Sequence, residues 1–240
     1  MNNPADAEEN RNGGNVSAGR ENPLRRAEKN LRAQPRGVRW LWALAALEIG
    51  YFLAQQLDTG VFTSLRGLAQ HCRPLWEFCK SAGYFPFWLI AAAIIVFCDW
   101  LAARQQAAGR TWREIFSRGG LLCCGAFTSM AVAELLKLVV RRERPQAWLE
   151  VASVFRDWSG DWWQSNDLGM PSSHAATAFG AAFVLMRLFP AGRVFWWAIA
   201  VACALSRVGD QAHALTDVYA GAVVAWGVAA LVIRWWRPRA

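Results

Sequence analysis

The chain has 240 residues, 55% of them hydrophobic, a mean hydropathy of +0.13, and 26 Lys and Arg against 18 Asp and Glu for a formal charge of +8. That apolar content, with 15 Trp, excludes fibrous, collagen-like and wholly disordered chains, and it is high for a simple soluble domain. A basic balance suits nucleic acid or a membrane, and the way the charges fall along the chain selects the membrane and not nucleic acid.

Residues 1–38 carry Asn, Gly, Pro, Arg and Glu with almost no large apolar side chain before Leu24. So little apolar surface does not offset the entropy of ordering a backbone, which predicts a disordered basic tail. The first apolar run begins near Trp40 with no small-residue cleavage site after it, so the first helix is expected to stay attached.

From residue 39 to 240, apolar blocks recur with short polar breaks, and each is measured against the roughly 20 residues that cross about 30 Å of hydrocarbon. Six blocks emerge: Trp40–Leu57, Ser81–Cys98, Gly119–Val140, Pro171–Met186, Val194–Val208 and Leu215–Ile233. The expected fold is therefore all-α, a bundle of six transmembrane helices behind a disordered N-terminal tail. With the amino terminus inside, 17 of the 26 Lys and Arg fall in cytoplasmic segments. That excess predicts both termini in the cytoplasm of a bacterial inner membrane. Trp40, Trp100, Trp112, Trp235 and Trp236 then lie near the interfaces, where an indole is favoured.

Ionisable groups in membrane segments are costly and are functional candidates by default. Here they gather at the outer end: Lys137 and Arg144 after the third block, Ser172, Ser173 and His174 at the start of the fourth, Arg207 ending the fifth, and His213 and Asp217 opening the sixth. Lys137 and Arg144 are seven apart, which predicts one helix face ended by Pro145. His213 and Asp217 are four apart, so the carboxylate can hold one ring nitrogen and leave the other to attack. Pro171 and the serines suit a helix start, whose free N–H groups favour an anion. Together these predict a phosphoryl pocket, where positioning and electrostatics do most of the catalysis.

Lys137-x6-Arg144-Pro145, then Pro171-Ser172-Ser173-His174, then Ser206-Arg207-x5-His213-x3-Asp217 resemble the three signature motifs of the type 2 phosphatidic acid phosphatase family, in that family's order. The resemblance implies a metal-independent lipid phosphatase, without cofactor, that works through a phosphohistidine. It casts His213 as nucleophile, Asp217 as its orienting carboxylate and His174 as general acid. Lys137, Arg144 and Arg207 become the phosphate clamp, helped by Ser172 and the Ser173 amide. Ser173 departs from the Gly more common in the family; its backbone N–H is expected to preserve the anion site, with room for its side chain to narrow it. The implied substrates are phosphatidic acid, phosphatidylglycerol phosphate, polyprenyl diphosphate or lipid A. The rival readings are a lipid phosphotransferase with the same intermediate and a non-enzymatic membrane protein with a relict pocket. The membrane spans speak against a soluble haloperoxidase.

The remaining polar residues receive structural expectations. Glu134 stands at helical pairing distance from Lys137, and Asp210 from Arg207, while Arg141 and Arg142 are read as membrane-edge anchors. Glu48 and Asp99 are expected to pair between helices, and His71 to lie in an outer loop without an obvious partner. Trp148, Trp158, Trp162 and Trp163 are expected at the interface. A Cys72–Cys79 disulfide requires the chain to turn between them, because seven helical residues rise about 10.5 Å. No cysteine spacing suggests zinc.

Overall fold

The computed structural model describes residues 36–105, 111–145, 154–158 and 163–236. Nearly all of the expected tail, with Trp148 and Trp162, lies outside them. The described residues form seven α-helices in order: α1 (Arg36–His71), α2 (Arg73–Ser81), α3 (Phe85–Arg104), α4 (Trp112–Val140), α5 (Ser173–Leu188), α6 (Arg193–Gly209) and α7 (Leu215–Trp235), with a 3-10 turn at Pro190–Gly192. Among the described residues the only β pairing is two isolated bridges, Arg142 with Phe155 and Glu143 with Leu168. The part of α1 up to Leu47 forms a unit of its own. Its Trp40, Leu41, Trp42 and Leu44 are exposed. The second unit starts at Glu48 and contains everything below.

Local chemistry explains the boundaries. Thr111 and Glu114 form a capping box at the start of α4: the Thr111 amide donates to Glu114 Oε2 at 2.8 Å and the Glu114 amide to Thr111 Oγ1 at 3.4 Å. Pro74 and Pro86 sit in the first turns of α2 and α3, where a missing N–H costs nothing. At the far end of α4 the chain leaves the helix at Arg141, which caps it in the left-handed region at φ 55°. Pro145 is therefore not the terminator that the sequence suggested.

The core is built from small residues. α5 lies at the centre, against α4, α6 and α7, and buries Ala175, Ala176, Ala178, Ala181 and Ala182 almost completely. A Cβ on Gly180 would stand 2.7 Å from the Gly125 carbonyl oxygen, so these backbones meet with nothing between them. Such small-residue contacts drive association where lipid is as apolar as leucine. Trp88, Leu122 and Phe179 fill the larger gaps, while many other large apolar side chains, including Ile90, Ile94, Phe97, Leu135 and Leu231, point outward.

Among the described residues, four stretches are long and apolar enough to cross a membrane: Phe85–Arg104, Trp112–Val140, Pro190–Gly209 and Leu215–Trp235. The two other expected spans fall short for different reasons. α5 has 16 residues, about 24 Å of rise, and as a central helix it needs no lipid-facing length. α1 has 36 residues, but Glu48, Asp58 and Arg66 interrupt its apolar sequence. The amphipathic helix α2 was not expected; Trp76 ties it to α6 by donating from Nε1 to the Ser206 carbonyl at 2.8 Å.

Asp99 pairs between helices as expected, with Arg118 Nη1 at 2.8 Å. His71 is not partnerless: its Nδ1 meets the Gly67 carbonyl at 2.8 Å in the last turn of α1. Cys72 precedes α2 and Cys79 lies within it, so the chain makes no turn that brings them together, and both are free thiols.

Candidate active site

One end of α4, α5, α6 and α7 collects the polar residues that the hydrophobic segments would otherwise exclude. Lys137, buried in the last turn of α4, donates from Nζ to Glu134 Oε1 at 2.8 Å and to Ser173 Oγ at 3.0 Å on α5. Ser172 caps α5 by accepting from the Ala175 amide at 3.5 Å, which places Ser173 and His174 in its first turn. Arg207 enters from the end of α6, and its Nη1 meets Asp210 Oδ2 at 3.0 Å.

Arg144 reaches the cluster by a route the sequence did not suggest. Lys137 and Arg144 do not share a helix face, because α4 stops at Val140 and the next residues run as irregular backbone. That backbone is held on both sides: the Glu143 amide donates to the Val154 carbonyl at 2.8 Å and the Arg144 amide to the Asp167 carbonyl at 2.9 Å. Arg144 is half-buried, and its Nε approaches the Leu168 carbonyl at 3.5 Å. The charges of Arg144, Arg207, Lys137 and His213 all act on His174, and those of Arg207 and Arg144 on His213. Glu134 and Asp210 offset Lys137 and Arg207, whereas no carboxylate faces Arg144 among the described residues.

His213 is also off its expected helix face, because α7 starts at Leu215 and the histidine lies in the connection before it. It is still carried to Asp217, with Nδ1 3.6 Å from Oδ2. That is longer than a hydrogen bond, and Oδ2 is meanwhile taken by the Ala214 amide at 2.9 Å. Burial pushes the His213 imidazole below its ordinary pKa, with Asp217 pulling the other way. The neutral ring is the form that can attack.

Among the described residues, buried nitrogens of three of these side chains have no hydrogen-bond partner: His174 Nε2, Arg207 Nε and His213 Nδ1. Unpaired buried donors are costly, and a phosphoryl group carries the oxygens that would satisfy those on Arg207 and His174.

Sequence reasoning missed the support beneath Asp217. Arg142, expected as a membrane-edge anchor, is only 3% exposed, and Arg141 only 2%. Arg142 Nη1 donates to Asp217 Oδ1 at 2.9 Å and to Thr216 Oγ1 at 2.6 Å. Asp58 of α1 completes the network, accepting from the Thr216 amide at 2.9 Å and the Thr216 hydroxyl at 2.8 Å. An isolated acid 158 positions away from its partner leaves no spacing signal. Tyr84 also went unnoticed; its ring meets the His174 ring edge-on, with centroids 4.8 Å apart. Two glycines permit the packing. A Cβ on Gly83 would stand 2.6 Å from His174 Cδ2, and one on Gly169 2.9 Å from Asp217 Oδ2.

A family model described as the PAP2 superfamily matches residues 118–240. Among solved structures, the chain is similar to the first transmembrane PAP2 type phosphatidylglycerolphosphate phosphatase from Bacillus subtilis. The TM-score is 0.55 at 19% identity, over 80% of this chain and 94% of that one, a likeness of fold. No curated protein matches the chain.

Proposed function

The chain belongs to the PAP2 superfamily, and from that premise we propose that it is an integral membrane lipid phosphatase that removes a terminal phosphate through a phosphohistidine. The observation that carries this reading is the meeting of two imidazoles with Lys137, Arg144 and Arg207 within one electrostatic neighbourhood, supplied from separate elements. α1 and α5 join the four apolar stretches as spans, giving six crossings with both termini in the cytoplasm and the histidines at the outer face.

In this mechanism Lys137, Arg144 and Arg207 hold the phosphoryl oxygens, with the Ser172–Ser173 start of α5 beside them. The neutral His213 ring attacks phosphorus in line as the bond to the lipid oxygen breaks, and His174, protonated once the anionic phosphoryl group offsets the cations around it, gives that oxygen its proton. Water then attacks phosphorus, returns a proton to His174 and releases His213 with inorganic phosphate. Asp217, fixed by Arg142, holds the orientation of His213. A cup at the membrane edge takes a lipid headgroup while the tail stays in the bilayer.

The test is phosphate release by the purified protein from phosphatidic acid, phosphatidylglycerol phosphate, a polyprenyl diphosphate and lipid A, with and without chelator. Release from at least one lipid, unaffected by chelator and abolished in His213→Ala and His174→Ala proteins that remain in the membrane, is expected. Full activity in His213→Ala would reject the assignment.

A further inference from the structure

The opposite end of the same bundle holds a second group of cations that this reaction does not use. A cavity of about 410 Å³ opens there, walled by Arg118 and Leu121 of α4, Arg187 and Leu188 of α5, and Ile233 and Arg234 of α7. Asp217 and Arg234 are separated by about 25 Å of helix, so the two clusters are distinct. The volume is in the range of small-ligand sites.

The three arginines are unequally satisfied. Arg118 is held by Asp99 at 2.8 Å, with its guanidinium 4.6 Å above the Phe189 ring. Arg187 and Arg234 are exposed and have no ion-pair partner among the described residues. Arginines in the last turns of α5 and α7 complement the helix dipoles, which accounts for each alone but not for their meeting Arg118 around a cavity. One carboxylate against three guanidinium groups leaves two positive charges.

The rest of the wall is apolar or amphipathic. Trp236 Nε1 donates to Ser117 Oγ at 3.2 Å, and its indole lies on Gly120, where a Cβ would stand 3.0 Å from Cζ2. Charged forks beside an apolar floor and an indole match a ligand that is anionic at one end and hydrocarbon at the other.

We propose that this cavity binds the phosphate of an anionic phospholipid from the leaflet opposite the catalytic cup. Arg118, Arg187 and Arg234 hold its oxygens, and Leu121, Leu188 and Ile233 receive the start of an acyl chain. The proposal rests on reading α4, α5 and α7 as membrane spans. Free phosphate shares the anionic chemistry but not the chain.

The experiment titrates the full-length protein in neutral detergent with phosphatidylglycerol, phosphatidylcholine or inorganic phosphate, and counts bound molecules by native mass spectrometry. R187Q, R234Q and the double variant are compared with wild type and with R207Q, which alters only the catalytic cup. Phosphatidylglycerol is expected to bind wild type and R207Q alike, about three- to five-fold more weakly to each single variant and about ten-fold or more weakly to the double one. The other two ligands are expected to show no such dependence. Equal phosphatidylglycerol affinity in wild type and all three variants would overturn the proposal, as would inorganic phosphate binding as tightly as the lipid. Loss of binding in R207Q alone would do the same by moving the lipid to the cup. Phosphate release is measured separately on the same proteins, so failure of the phosphatase reading registers there and not in lipid retention.

Discussion

The two ends of α4, α5 and α7 deal with positive charge in opposite ways. At the histidine end, Lys137, Arg142 and Arg207 are nearly inaccessible, and Glu134, Asp217 and Asp210 hold them. At the other end, Arg187 and Arg234 stand exposed with no acidic partner among the described residues. A buried cation fixed by carboxylates has little freedom left to lose when a substrate arrives, which is what preorganised electrostatic catalysis requires. An exposed arginine keeps its rotamers and hydration and responds to whatever anion the surroundings present. The same residue type is thus a fixed part of one site and an adaptable part of the other.

The sharpest way to break this comparison is to remove one cation from each end and measure stability. Arg142→Leu leaves Asp58 and Asp217 buried without their shared cation, and such a loss is expected to cost about 3–5 kcal/mol. Arg187→Gln is expected to stay within about 0.5 kcal/mol of wild type. Unfolding followed in detergent reads both. Similar midpoints for the two variants would mean that the buried network is not what holds this end together.

Activity separates the ends next. Lys137→Ala removes a preorganised donor from the proposed clamp and is expected to lower kcat/KM about 10²- to 10³-fold and to weaken vanadate binding. Arg234→Gln is expected to leave both unchanged. Full activity in Lys137→Ala would remove it from the clamp.

These contrasts also show what the sequence could carry. Hydropathy marked α3, α4, α6 and α7 because each presents apolar side chains to its surroundings along most of its length. It also marked α1 and α5, the first interrupted by charges and the second too short to read as a span, and it missed α2, whose 9 residues are polar on average but held by Trp76. Spacing singled out Lys137, Ser173, His213 and Asp217, and the structure sets Lys137 against Ser173 and His213 beside Asp217. It misjudged how Arg144 and His213 are carried, since the chain leaves α4 at a left-handed Arg141 and α7 starts only at Leu215, where Asp217 caps the Ala214 amide. Asp58 and Arg142 were illegible as a pair because α1 meets α7 only through the fold.

The acid limb of the pH profile sharpens the buried end further. Burial lowers the His213 pKa, so the ring stays neutral and competent below its usual value near 6.5, and protonates only as pH falls through the depressed value. Activity is therefore expected to persist below pH 6.5 and to fall only as pH passes through the depressed value. The sign for folding is the same: the unfolded chain takes up this proton first, so acid erodes stability as pH drops beneath 6.5. Asp217 pulls the pKa upward, so Asp217→Asn should move the acid limb of kcat/KM to still lower pH while reducing kcat. A limb that stays in place or moves upward would mean that Asp217 does not act on this imidazole.

The smallest effect concerns Ser173, whose side chain stands beside the Lys137 ammonium. Its hydroxyl accepts a hydrogen bond from Lys137 at 3.0 Å, so one clamp donor is already engaged before any substrate is present. An incoming phosphoryl oxygen competes with that contact for the ammonium; a hydrogen bond from a charged donor is worth about 1.5–3 kcal/mol, and because the ammonium keeps a third N–H only part of that is at stake. Ser173→Gly should release the ammonium while keeping the backbone N–H at the start of α5, lowering KM by about 2- to 10-fold with kcat nearly unchanged. Because Glu134 still holds Lys137 at 2.8 Å, the side chain is not expected to wander. A fall in kcat with KM unchanged would instead make Ser173 part of the transition-state contacts. The extra side chain would then belong to the chemistry of this cup rather than to its width.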